Sequence, residues 1–178
     1  VSGPTPDVDQ FAQTLEARGL PGRRLETSHG FHSRMMEQAA RDFAEAVRRI
    51  RATTDRGTIN CNTNGSLPRR VEQIARAGLD SIRISLNSAL GPTYTAYYLP
   101  RSYRWEDVRE GIRVAKESGL YTTLNYLVFP GVTDREEELD ALLALVRETR
   151  ADMIQMRNLS IDPELYLRTV PPARGKCV

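Results

Sequence analysis

Ser81-Ile-Arg-Ile-Ser-Leu-Asn-Ser88 is a short apolar run that closes on polar side chains able to bind a ligand. Three further runs have the same form: Thr58-Ile-Asn-Cys-Asn-Thr-Asn64 before it, and Tyr121-Thr-Thr-Leu-Asn-Tyr-Leu-Val128 and Asp152-Met-Ile-Gln-Met-Arg-Asn-Leu159 after it. Each of the first three is followed by an amphipathic helix pattern, the alternation that builds a parallel sheet with helical crossovers. Parallel strands point their carboxyl ends the same way. Asn62, Asn64, Asn87, Ser88, Asn125, Arg157 and Asn158 are therefore expected to gather along one rim, the rim at which α/β barrels and open α/β sheets bind ligands. The competing reading of the asparagines is turn and cap chemistry, and that of Arg157 a salt bridge to Asp162 or Glu164.

The helices are marked by their starts and stops. The first follows Ser66-Leu-Pro68, a cap with proline in the first turn, and stops at Gly78. The second runs from about Glu106 to Ser118 with Val108, Ile112 and Ala115 inward and Gly119 beyond it. The third opens with Thr133-Asp-Arg-Glu136, a capping box, and carries Leu139, Leu142, Leu143 and Val146 at helical spacing. The long connection from Ala89 to Arg104 holds four of the seven tyrosines and reads either as a lid or as packing over the sheet. Upstream, Val8, Phe11 and Leu15 share a helical face that ends at Gly19, and Leu25 to Ser28 is a short strand candidate. From a Ser33 cap, Met36, Ala40, Phe43, Val47 and Ile50 form one stripe.

Lys plus Arg is 25 and Asp plus Glu is 23, so charge makes no case for nucleic acid or an anionic membrane. No apolar stretch is long enough to span a bilayer. The start, Val1-Ser-Gly-Pro-Thr-Pro, has no signal-peptide pattern, and the chain reads as cytoplasmic. Cys61 and Cys177 form no C-x-x-C pair, and Cys61 reads as a small buried residue. His29 and His32 make an H-x-x-H that matches no zinc spacing, so no metal ligands are assigned.

The words Arg56-Gly-Thr-Ile-Asn-Cys-Asn-Thr-Asn-Gly-Ser66, Ala77-Gly-Leu-Asp-Ser-Ile-Arg-Ile-Ser-Leu-Asn-Ser88, Leu124-Asn-Tyr-Leu-Val-Phe-Pro-Gly-Val-Thr-Asp134 and Ile154-Gln-Met-Arg-Asn-Leu-Ser-Ile-Asp-Pro163 occur in order. Over about residues 50–165 they resemble radical S-adenosylmethionine proteins. The resemblance implies the middle and later strands of a β/α barrel that holds S-adenosylmethionine and a [4Fe-4S] cluster. Carried over residue by residue, it implies Asn64, Ser85, Asn87 and Asn125 as cofactor contacts, with Arg157 and Asn158 for the substrate. The family's C-x-x-x-C-x-x-C cluster motif is absent, and two distant cysteines do not replace three closely spaced thiolates.

Arg24-Leu-Glu-Thr-Ser-His-Gly-Phe-His-Ser-Arg-Met-Met36 resembles the small-domain portion of malonyl-type acyltransferases. That resemblance implies His32 as general base toward an active serine, but the G-H-S-x-G word that would carry the serine is missing. The helix Phe43 to Thr54 suits either family, which suggests a fusion.

The resulting expectation is α/β: a partial parallel β/α (TIM-like) barrel of about four strands, preceded by a small ferredoxin-like α/β fragment. Its parts are 1–50, acyltransferase-like; 51–168, a partial barrel; and 169–178, a disordered tail. The function expected is a barrel segment that binds S-adenosylmethionine and is not catalytic alone. An acyltransferase fragment and an inactive chimera are the alternatives. Its partner would be a small-molecule ligand, with no nucleic acid and no membrane, and its open sheet edges favour self-association.

Overall fold

Residues 82, 84 and 86 are branched apolar side chains with 0% exposure, while 81, 83 and 85 between them are partly exposed. Side chains in a strand alternate between faces, so this strand divides an apolar side from a polar one. In the computed structural model, which describes residues 5–20, 22 and 36–178, it is the second of four strands: β1 (Asn60–Thr63), β2 (Ser81–Leu86), β3 (Tyr121–Val128) and β4 (Met153–Asn158). They lie in the order β1-β2-β3-β4, and every neighbouring pair is parallel. This is an α/β fold with a four-stranded parallel sheet, in keeping with the partial barrel expected from sequence.

The crossovers are α3 (Pro68–Arg76), α4 (Gly91–Tyr98) with α5 (Trp105–Glu117), and α6 (Glu136–Thr149). α1 (Thr5–Ala17) and α2 (Met36–Thr53) precede the sheet, and α7 (Pro163–Thr169) follows it. The chain divides into two compact units, residues 1–46 and 47–178. In the first, α1 ends at Gly19, whose φ of 67° only glycine adopts without strain. The strand candidate at 25–28, the Ser33 cap, His29 and His32 lie outside the described residues.

In the second unit, the apolar face of the sheet packs Ile82, Ile84, Leu86 and Leu124 against Val71, Val108, Ile112, Ala115, Leu142 and Leu145. At Gly111, α5 lies against the loop after β1: a Cβ there would lie 1.9 Å from the Gly65 carbonyl oxygen. The tyrosine-rich connection is the helix α4, and it packs. Tyr94 is fully buried, with ring centroids 4.6 Å from Tyr98 and 4.8 Å from Trp105. It is not a loose lid.

Two expected caps are used differently. Ser66 lies one residue before the N-cap Leu67, and its N–H and Oγ both donate to Asn64 Oδ1, at 3.2 and 2.9 Å. The Thr133 hydroxyl closes a turn with Phe129 instead of capping α6, which begins after Arg135. Both hydroxyls were drawn into local turns that compete with capping. At the chain's end, where a disordered tail was expected, Cys177 pairs with Arg135 in an antiparallel bridge and the Val178 N–H donates to Asp134 O at 2.9 Å.

Candidate functional site at the polar face of the sheet

Strand register sorts the polar side chains into rows. One row holds Asn62, Arg83, Thr123 and Met153, and the next toward the carboxyl rim holds Ser85, Asn125 and Gln155. Asn64 follows β1 directly and Asn87 follows β2 directly, while Arg157 stands beside Leu127 one row further along. Rows on one face are about 7 Å apart, two residues of strand rise.

Of the residues expected at the rim, Ser85 and Asn125 meet: Asn125 Nδ2 donates to Ser85 Oγ at 3.3 Å. Asn64 is engaged by Ser66, as above. Asn87 is fully buried, its Nδ2 donating to Thr93 O at 3.4 Å and to Tyr166 Oη at 3.3 Å. Arg157 and Asn158 alternate across the sheet, so the two do not share a face. Arg157 is exposed and makes neither of the expected salt bridges, because Asp162 caps α7 and Glu164 pairs with Arg168. Ser88 turns toward the helix layer, where its Oγ donates to Glu138 Oε2 at 2.6 Å.

Sequence reasoning passed over Arg83 and Gln155. Both lie on the polar face, and the alternation of β2 and β4 was the available signal for them. With Asn125 they share a property: Arg83 Nε, Asn125 Oδ1 and Gln155 Oε1 are buried atoms with no hydrogen-bond partner, and Asn87 Oδ1 is a fourth. A buried polar atom left unpaired costs about 1–3 kcal/mol. One donor and three acceptors left open on or beside one face make a constellation that a ligand with complementary groups would complete.

The helix side of the rim carries the other polar centre. Glu138 has 1% exposure and accepts from Ser88, from the Ala89 N–H and from Tyr126 Oη at 2.7 Å. Burial, with the Glu138 carboxylate beside it, pushes the Tyr126 phenol well above its ordinary range. A cleft of about 320 Å³ opens there between Leu90, Thr93, Val132 and the 171–174 segment.

No group of three His, Cys, Asp or Glu able to hold a metal occurs among the described residues. Cys61 stands in the row of Ile82 and Thr122, and burial pushes its thiol up. The Cys177 thiol is also pushed up, by its hydrogen bond to Asp134 at 3.3 Å. No helix among the described residues is long and apolar enough to cross a membrane.

The sequence pattern of the Radical SAM superfamily matches residues 7–143. The match begins at residue 7 and runs through the words at 24–36 that resemble an acyltransferase. The chain is 30% identical over 120 residues to a GTP 3',8-cyclase of Streptomyces coelicolor, covering 66% of this chain and 34% of that protein. It is 29% identical over 126 residues to the GTP 3',8-cyclase of Petrotoga mobilis, covering 70% and 33%. The chain thus spans about a third of the length of the curated relatives it matches. Among solved structures, a radical SAM methyltransferase from Sphaerobacter thermophilus superposes with a TM-score of 0.48 at 18% identity, covering 66% of this chain and 40% of that one. The methyltransferase TsrM from Kitasatospora setae, solved with tryptophan substrate and a SAM analog, gives 0.47 at 19%, covering 84% and 29%.

Proposed function

The chain belongs to the Radical SAM superfamily, and on that premise we propose that the polar face and carboxyl rim of its sheet bind S-adenosylmethionine. The observation that carries the reading is the set of unpaired buried atoms: Arg83 Nε, Asn125 Oδ1, Gln155 Oε1 and Asn87 Oδ1. S-adenosylmethionine brings what these atoms lack, a carboxylate for a guanidinium donor and an ammonium, ribose hydroxyls and an adenine amine for carbonyl acceptors. Asn64, Ser85, Asn87 and Asn125 are the contacts proposed from family likeness, and Arg83 and Gln155 join them from the geometry. Arg157, on the same face and exposed, is placed to meet the anionic end of a substrate, with Asn158 beside it in sequence.

When bound in enzymes of this family, S-adenosylmethionine supplies an activated adenosyl group, released by an electron from an iron-sulfur cluster. Clusters are held by cysteine thiolates, and this chain's donor set does not fit one. Its two cysteines lie 116 positions apart (177 minus 61), and both thiols are held toward the protonated form. We therefore assign this chain a binding role at the rim and no cluster-dependent step by its own residues. Among the described residues no strand pairs with the outer edges of β1 and β4, which is where further barrel strands or a second copy would pair. The acyltransferase reading of 1–50 rests on its sequence words and on His32.

Calorimetric titration of S-adenosylmethionine into the 178-residue chain tests the proposal, with adenosine, methionine and GTP titrated separately. Binding tighter than millimolar, weakened in both Arg83→Met and Gln155→Leu, is the expected result. No heat at high concentration of any of them refutes it.

A further inference from the structure

Glu138 is the most buried carboxylate among the described residues, and burying a charged group is costly unless donors surround it. Three donors do, and all come from the strand ends. Ser88 Oγ donates to Oε2, while the Ala89 N–H and Tyr126 Oη both donate to Oε1. The Ser88 hydroxyl is itself tied into the loop, accepting from the Leu90 N–H at 2.9 Å. A single side chain of α6 thus holds the turn that follows β2 and the end of β3.

Asn87 is the residue immediately before that turn. Its amide is held by other elements, Thr93 of α4 and Tyr166 of α7. The Thr93 carbonyl can only accept, so the amide nitrogen must face it. That leaves Oδ1 as the open atom, the one found buried without a partner. Turning the amide over would set two acceptors against each other.

We propose that Glu138 is a positioning residue: by gripping Ser88 and Ala89 from the helix layer it fixes the Asn87 carbonyl oxygen as an acceptor for a hydroxyl or N–H of the ligand bound at the rim. The inference rests on the S-adenosylmethionine reading for the identity of that ligand. Its structural half, that Glu138 sets the orientation of the Asn87 amide, stands separately. Glu138→Gln is the informative variant because it keeps the volume. The Gln oxygen can still accept from Ala89 and Tyr126, while its NH2 faces Ser88, whose hydroxyl hydrogen then turns to the Leu90 carbonyl, 3.4 Å away. The fold survives and the grip loosens. Leu142→Ala serves as the control, since Leu142 lies on the same helix but within the apolar core.

The test combines a thermal melt, S-adenosylmethionine calorimetry and the Asn87 side-chain NH2 pair in amide NMR spectra for wild type and both variants. Glu138→Gln is expected to shift or broaden the Asn87 pair and weaken binding about tenfold with little change in melting temperature. Leu142→Ala is expected to melt earlier with the Asn87 pair and the affinity unchanged. Equal affinity in wild type and Glu138→Gln overturns the proposal whatever the spectra show, as does an equal loss in Leu142→Ala. If wild type gives no binding, the ligand reading fails by itself and the Asn87 pair decides the positioning. A shift in Glu138→Gln alone supports it, and an unmoved pair overturns it.

Discussion

Replacing Gly111 by alanine sets two effects of opposite sign against each other. Gly111 is in the interior of α5, where glycine is about 0.5–1 kcal/mol worse than alanine. Helix propensity alone therefore predicts a stabilised protein. The new Cβ, however, would stand 1.9 Å from the Gly65 carbonyl oxygen and 2.9 Å from its carbon. Real Cβ contacts essentially never fall below 3.0 Å, so backbone must move by at least 3.0 minus 1.9, or 1.1 Å. The neighbour is main chain, not the end of a flexible side chain, and Gly65 is itself boxed in: its φ is +67°, and a Cβ on it would meet Ile84 at 2.9 Å. Overpacking a closed core costs about 1–3 kcal/mol, occasionally more, which outweighs the propensity gain. Subtracting the propensity gain, we expect net destabilisation of about 0.5–2 kcal/mol, or a melting temperature lower by roughly 2–8 °C for a unit of this size. Because Asn64 and Ser66 flank Gly65, the same shift should weaken ligand binding at the rim. Thermal melts of wild type and Gly111→Ala at equal concentration check it. An unchanged or higher melting temperature would refute the close approach of α5 to the β1–α3 loop.

Arg83→Met and Gln155→Leu should each weaken S-adenosylmethionine binding tenfold or more, yet leave the melting temperature level or raised, since each removes a buried polar atom that has no partner; calorimetry beside thermal melts reads both. Partial burial raises the Asp152 carboxyl, but hydrogen bonds from Lys116 at 2.7 Å and the Thr122 N–H pull it further down, so it ends below its ordinary 3.8. A depressed carboxyl stabilises above its unfolded pKa and loses that contribution as pH falls through the folded value. Asp152→Asn should therefore cost about 0.5–1 kcal/mol at pH 7 and progressively less as the pH falls below the ordinary 3.8, as followed by denaturant melts. Asp134→Asn removes the carboxylate that holds up the Cys177 thiol, so iodoacetamide should label Cys177 faster at pH 8. An unchanged rate would show that the Sγ contact to Asp134 does not govern the thiol.

The strands were legible because each is an apolar run closed by hydrogen-bonding residues and followed by a helix stripe, a pattern that survives without knowledge of register. What register decides was not legible. A shift of one residue reverses every side chain in a strand, so the asparagines could be placed near the rim but not assigned to a face. The strand-end pattern puts Ser88 on the ligand side, whereas it turns to Glu138; it groups Arg157 with Asn158, whereas the two alternate across the sheet. Arg83 was hidden by treating Ser81–Leu86 as an apolar run, although its period of two already separates Ser81, Arg83 and Ser85 from Ile82, Ile84 and Leu86. Ser66 and Thr133 were misplaced as caps because a hydroxyl near a helix start can equally close the preceding turn. α4 has a legible start, since Gly91-Pro92 puts proline in a helix's first turn, but the tyrosines that follow carry no helical stripe.

The two polar centres of the rim differ in a way that bears on its chemistry. On the sheet face, Arg83, Asn125 and Gln155 leave donors and acceptors without a protein partner, a cost that a bound ligand would recover. On the helix side, both Glu138 oxygens accept hydrogen bonds from the strand ends and leave little for a ligand. If the rim binds a ligand as proposed, an unsatisfied layer backed by a satisfied one would preorganise it, because the second layer fixes what the first presents. The thiols belong to neither layer. Cys61 shares the row of Ile82 and Thr122, away from the polar row of Asn62 and Arg83, and Cys177 is engaged with Asp134. On the binding role proposed above, the thiolates that would hold a donor cluster are supplied by residues other than these. Adding a strand-bearing segment that carries such thiolates should then confer cluster absorbance on the pair, and Cys61→Ser with Cys177→Ser should leave that absorbance untouched. Loss of the band in the double variant would place at least one of these cysteines at the cluster and overturn the division argued here.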